Sequence, residues 1–196
     1  NSEGDYQGGI TGYADDCELS DCINNADITI EGDHVGGIVG CGYYLSISNC
    51  MNNGDIYSDG DEVAGIIGET YNVKITDCKN TGKITTEDEQ AGGIAGDVND
   101  SIIKNCINDG DVQYVGTSDS KEELGGIAGG VYYSIEIINC VNNGNIGGTH
   151  ENLERVGGIV GWISAYGSVT GCINNGNVNA PGSRAGGIAG ASEGDY

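Results

Sequence analysis

Aliphatic residues along this chain come in ones and twos, separated by glycine, asparagine and acidic positions, and the spacing repeats. Each copy reads Gly-Gly-Ile-x-Gly, a variable stretch, an aliphatic, two further positions, Cys-x-Asn-x-Gly-x-aliphatic, and then a polar loop. The glycine pair begins at Gly8, Gly36, Ala64 (with Gly65), Gly92, Gly125, Gly157 and Gly186, in steps of 28, 28, 28, 33, 32 and 29 residues. Coils over 8–35, 36–63, 64–91, 92–124, 125–156 and 157–185 follow, with a partial coil over 186–196, all within one repeat domain spanning 1–196. A fixed period of this length is the mark of a solenoid, in which each copy buries its apolar side only against its neighbours.

Three short strands per coil are predicted: one at Gly-Gly-Ile, one ending at the cysteine, one around the last aliphatic. Three aliphatic columns would then stack inside. They are Ile10, Ile38, Ile66, Ile94, Ile127, Ile159 and Ile188; Leu19, Ile47, Ile75, Ile103, Ile137 and Val169; and Ile28, Ile56, Ile84, Val112, Ile146 and Val178. Rungs stacked about 4.8 Å apart turn each column into a continuous core. The expected fold is an all-β parallel β-solenoid, or β-helix, of about six and a half coils. Thirty-seven glycines argue against helices, since glycine costs about 1 kcal/mol relative to alanine inside one. The glycines at Gly54, Gly82, Gly110, Gly144 and Gly176, with Ala26 as the exception, are expected where the chain needs a positive φ. Asn24, Asn52, Asn80, Asn108, Asn142 and Asn174 are expected to stack as an amide ladder.

Charge narrows the partners. Thirty acidic against seven basic residues give a net charge of −23, which repels nucleic acid and anionic lipid surfaces. No apolar run is long enough to span a membrane as a helix. Ser2 to Tyr6 recurs as Ser192 to Tyr196, and the last repeat stops after its first strand, so an excerpt from a longer array or a subunit whose ends meet is expected.

Six cysteines follow the repeat, at Cys22, Cys50, Cys78, Cys106, Cys140 and Cys172. They read as stacked core thiols or as bridges between coils, with strained geometry disfavouring the bridges. Cys17 and Cys41, in the loops after the first strands of neighbouring coils, are the better disulfide candidates. The strict 28-residue step stacks Glu31, Asp59 and Glu87 in one column and Asp33, Asp61 and Glu89 in another, a solvated acidic edge or a site for calcium, the one candidate cofactor. His34 and His150 fall in variable loops and read as surface residues. Tyr13, Tyr43, Tyr44, Tyr71, Tyr132, Tyr133 and Tyr166, with Trp162 nearby, concentrate after the first strand. They either form an exposed row that holds a glycan or a cell-surface protein, or pack over the loop.

The repeated Gly-Ile-Val-Gly of residues 37–40 and 158–161, followed by Asn-Cys-x-Asn-x-Gly, resembles the GLUG-type repeats of secreted and cell-wall-anchored bacterial surface proteins. That resemblance implies an extracellular, adhesin-like array and supplies no catalytic residue. A non-enzymatic structural or adhesive segment is therefore the expected function. A subunit stacking end to end into filaments is the alternative, because open solenoid ends leave strand edges unpaired. A carbohydrate-active β-helix enzyme would need a groove of clustered acids and bases, which the sequence does not display.

Overall fold

Every strand pairs in parallel with its equivalent one coil away, so residues of one kind lie above one another from end to end. The computed structural model describes residues 6–117, 122–164, 166–182 and 184–193. Residues 118–121 of coil four, and most of the two terminal Ser-Glu-Gly-Asp-Tyr copies, lie outside the described residues. Coil two shows the plan: strands over Val35–Gly36, Val39–Tyr43, Ser46–Ser48, Met51–Asn52 and Ile56–Ser58. Stacked, these make two seven-stranded and three six-stranded sheets, a parallel β-solenoid.

Each coil thus has five strands rather than the three expected. The Gly-Gly-Ile segment is a corner: Gly36 ends one strand, Gly37 and Ile38 bend, and Val39 starts the next. The variable stretch continues that second strand to Tyr43, and the residue pair after each cysteine forms a strand of its own. Side chains that point outward differ from coil to coil, so these strands left little trace in the pattern.

The three predicted columns are buried. Ile38, Ile66, Ile94, Ile127 and Ile159 are fully enclosed, as are Ile47, Ile75, Ile103 and Ile137. Ile10 and Ile188, in the two end coils, stay exposed. The interior forms two clusters. One joins the second and third strands with the cysteines, and the other joins the first and fifth strands, holding Val35, Ile56, Val63, Ile84 and Leu124. The asparagine ladder runs between them. Nδ2 of Asn52 donates to Oδ1 of Asn80 at 2.8 Å, Asn80 to Asn108 at 2.9 Å and Asn108 to Asn142 at 2.8 Å. Each also donates to the carbonyl two residues on, so a buried amide has both partners it needs.

Positive φ occurs elsewhere than predicted. The left-handed residue of the cysteine turn precedes the cysteine: Asp21, Asn49, Asp77, Asn105 and Asn139, with Gly171 in coil six. Asparagine and aspartate tolerate that conformation because their short polar side chains can bond locally. Gly82 is required by close approach instead, since a Cβ there would run into the backbone of Gly54 one coil away. Ala26 carries its methyl without penalty, because no described residue stacks on that side of coil one.

Candidate functional site

Two outward-facing regions flank the second strand. The first is the tyrosine edge. Tyr13, Tyr43 and Tyr71 follow one another with ring centroids 5.9 Å apart, and Tyr44 meets Tyr71 edge-on at 6.2 Å. Tyr43 and Tyr71 are register partners in the second sheet, while Tyr13 pairs with Cys41 one column in. Beside them lies an open groove of about 610 Å³, lined by Asp16, Glu18, Tyr44, Asn72, Lys74 and Asp100 among others.

The corner after this strand is left-handed in coils one to five. Asp16, Asn72 and Asp100 occupy it in three of them, with φ of 48°, 57° and 45°. Tyr44 and Tyr133 occupy it in the other two, with φ of 49° and 63°, and expose 58% and 66% of their surface. A bulky residue in this region is strained, whereas aspartate and asparagine fit it readily.

The exposed row, one of the two readings of these aromatics, is interrupted. Coil four places Asn99 and Asp100 in it. Tyr132 and Trp162 turn away from solvent: the Tyr132 hydroxyl donates to Glu123 Oε2 at 2.6 Å, and Trp162 is buried under the Arg155 guanidinium, 4.2 Å from its ring centre. Arg155 also pairs with Glu123. Tyr133 and Tyr166 remain exposed further along.

The second region lies at the corner between first and second strands, where two columns run side by side. The position just before the first strand, or opening it, gives His34, Glu62, Gln90, Glu123 and Arg155. The third position of the second strand gives Cys41, Glu69, Asp97, Gly130 and Trp162. His34 is therefore not a free surface residue: its Nε2 lies 3.2 Å from Glu62 Oε2 and 3.3 Å from Glu69 Oε2. The Cys41 thiol donates to Glu69 Oε2 at 3.1 Å.

Burial pushes the Asp97 carboxyl up to about 8, helped by Glu62, Glu69 and Glu123, and burial pushes Glu62 up to about 7 against the pull of His34. This acidic strip escaped the sequence reading, although Glu69 and Asp97 are one 28-residue step apart.

The two acidic columns do form. Asp33 Oδ1 accepts from the Asp61 amide at 3.1 Å, Asp61 Oδ1 from the Glu89 amide at 2.9 Å, and Asp59 Oδ1 from the Gly32 amide at 3.1 Å. Glu87 accepts from the Tyr57 hydroxyl at 2.5 Å, and Glu31 stands in the same register. These oxygens are spent on the neighbouring coil. Among the described residues, no three His, Cys, Asp or Glu side chains stand ready around a common ion-sized point.

All eight cysteines are thiols. The Cys17–Cys41 bridge is not formed: Cys41 is buried beside Glu69, whereas Cys17 is exposed at the next corner, in register with Leu45. In the ladder, each Sγ donates to the carbonyl two residues back, Cys50 to Ser48 at 3.3 Å and Cys78 to Thr76 at 3.3 Å. Contact with Cys140 and Cys78, together with burial, holds the Cys106 thiol well above its ordinary range.

Coil two carries the fullest set of these features: the corner glycines, Cys41, both tyrosines, Cys50 and Asn52. Residues 32–57 match the family model of the GLUG motif. The GLUG stretch thus runs from the loop that closes coil one to the last strand of coil two, and it includes His34. The repeated positions of this stretch recur in the other coils as corner, core and ladder residues, while His34, Cys41, Tyr43 and Tyr44 stand at positions the repeat leaves variable. No curated protein and no solved structure matches the chain.

Proposed function

We propose that this chain is a non-enzymatic structural β-helix segment of an extracellular bacterial surface protein, and that its tyrosine edge holds carbohydrate. The GLUG stretch and the unbroken parallel ladders support the structural part. The observation that carries the adhesive part is the choice of Tyr44 and Tyr133 at a left-handed corner where other coils use Asp16, Asn72 and Asp100. A strained, exposed aromatic ring adds little to the core, which supports a role in contact. Tyrosine offers an apolar face to a sugar ring, and the carboxylates and Lys74 beside Tyr44 offer hydrogen bonds to its hydroxyls. The GLUG resemblance of residues 32–57 supports a place at the cell surface.

A glycan array probed with the labelled chain tests the reading. Wild type is expected to bind a subset of glycans, and the Tyr44→Asn/Tyr133→Asn double variant to lose at least tenfold in signal with an unchanged β-sheet circular-dichroism spectrum. Equal binding by the two proteins, or no glycan bound by either, overturns it.

A further inference from the structure

The two-residue strand after each ladder cysteine turns its asparagine inward and its first residue outward. Five of the six outward residues are apolar: Ile23, Met51, Ile107, Val141 and Ile173, with Lys79 in coil three. Parallel register stacks the six in one row, each opposite its equivalent a coil away. Neither core cluster contains them. Ile23, Ile107 and Ile173 are 55%, 36% and 53% exposed, and Met51 and Val141 are partly so. An apolar row open to solvent along the rod marks a contact surface.

Charge says what can cover it. The chain carries −23, and columns such as Glu31, Asp59 and Glu87 hold a second copy off. Around the row that repulsion is missing. The outward columns on either side, which begin at Ser20 and at Asn25, hold Lys104 and Asp109 as their only charges, and the corner beside the row holds Asp21 and Asp77. Lys79 and Lys104 against Asp21, Asp77 and Asp109 leave this face at −1. A second copy is as long as the row and bears an apolar row of its own, so it covers the whole length without bringing like charges together.

We propose that two copies of this chain pair side by side and antiparallel through this row. A two-fold axis across the rods sets coil one against coil six, coil two against coil five and coil three against coil four. Ile23 then meets Ile173 of the second copy, Met51 meets its Val141, and Lys79 meets its Ile107 with its Asp109 alongside. Parallel pairing would instead set Lys79 against Lys79, a like-charge contact that disfavours it. The row runs about 24 Å at about 4.8 Å per rung, and with its flanking columns it covers roughly 500 Å² of each copy, which together reach the lower limit of a specific interface. The pair therefore forms and dissociates with concentration.

Sedimentation equilibrium of the full chain, at a series of concentrations up to the millimolar range, tests the pairing. The mass is expected to rise from 20.1 kDa toward twice that value and to stop there. Ile107→Lys, which sets two lysines against each other and touches no core residue, should weaken the dimer at least tenfold with an unchanged circular-dichroism spectrum. Adding Lys79→Glu to that variant restores opposite charges across the antiparallel contact and should recover most of the loss. Thr29→Lys, on the outward side of the fifth strand, should leave the dimer intact. A wild-type mass that stays at 20.1 kDa or grows past the dimer, an Ile107→Lys variant that pairs as well as wild type, a Thr29→Lys variant weakened to the same extent, or no recovery in the double variant overturns the proposal.

Discussion

Asn80 stands where a side chain on Gly65 would have to go: a Cβ built on Gly65 would meet the Asn80 amide, with Oδ1 only 2.6 Å away. The same holds for Gly37 against Asn52 and for Gly93 against Asn108. The Gly-Gly pair and the Cys-x-Asn segment, some fifteen residues apart in each copy, are therefore two halves of one contact. The asparagine crosses the coil to reach its ladder partners, and the glycine leaves the space for it.

Replacing either half should cost much the same. Asn80→Ala removes the bonds to Asn108 and Gly82 and the one accepted from Asn52, at about 2–4 kcal/mol. Gly65→Ala should cost at least as much, because the Gly93 carbonyl also blocks the methyl. Because the two share one contact, the double variant is expected to lose less than the sum of the singles. Denaturant melts of the three variants measure this, and strict additivity would show the contact to be incidental.

The architecture was legible because its cause is local and repeated. Ile38, Ile47 and Ile56 are read as core from their period, and the structure buries all three. The strand count was not legible, because Tyr43 and Met51 sit in strands whose outward residues differ from coil to coil. The glycines were misassigned for a related reason. Sequence shows that a Cβ is excluded at Gly82, but whether by backbone twist or by a neighbouring coil depends on stacking. The acidic strip was hidden among thirty acidic residues, and only the register that pairs Cys41 with Glu69 and Glu69 with Asp97 separates it from ordinary surface charge.

Thiol reactivity should follow depth. Cys17 is exposed, Cys22 and Cys172 are half-buried, and Cys41, Cys50, Cys78, Cys106 and Cys140 are buried. With Ellman's reagent under native conditions, Cys17 should react first and the half-buried pair slowly. The buried five should react only as the chain unfolds, and all eight in denaturant. Fewer than eight thiols in denaturant without reductant would reveal a bridge.

Stability should fall as pH rises from about 4 to 8. Asp97, held at about 8, and Glu62, at about 7, keep protons in the folded chain that they give up when unfolded. Groups raised in this way contribute most below their unfolded values near 4, and that contribution is lost as pH climbs through the folded values. Asp97→Asn should therefore flatten the profile. It should raise the melting temperature at pH 8 by about 5 °C and change it little at pH 4. A wild-type melting temperature that increases over this range would contradict the burial assigned to Asp97.

Tyr44 offers the sharpest separation of stability from binding. Its φ of 49° is the conformation that Asn72 adopts at the same corner one coil on, with φ of 57°. Tyr44 therefore carries backbone strain that asparagine would relieve, while its ring, 58% exposed, adds little to the core. Tyr44→Asn is expected to stabilise the chain by about 0.5–1 kcal/mol, or roughly 1–4 °C in melting temperature, and to weaken carbohydrate binding at the groove. A residue kept for packing would behave the opposite way, losing stability on substitution and leaving binding intact. Thermal melts and glycan titrations on the one variant distinguish the two, because contact and packing predict opposite signs for stability and, for binding, a loss against no change.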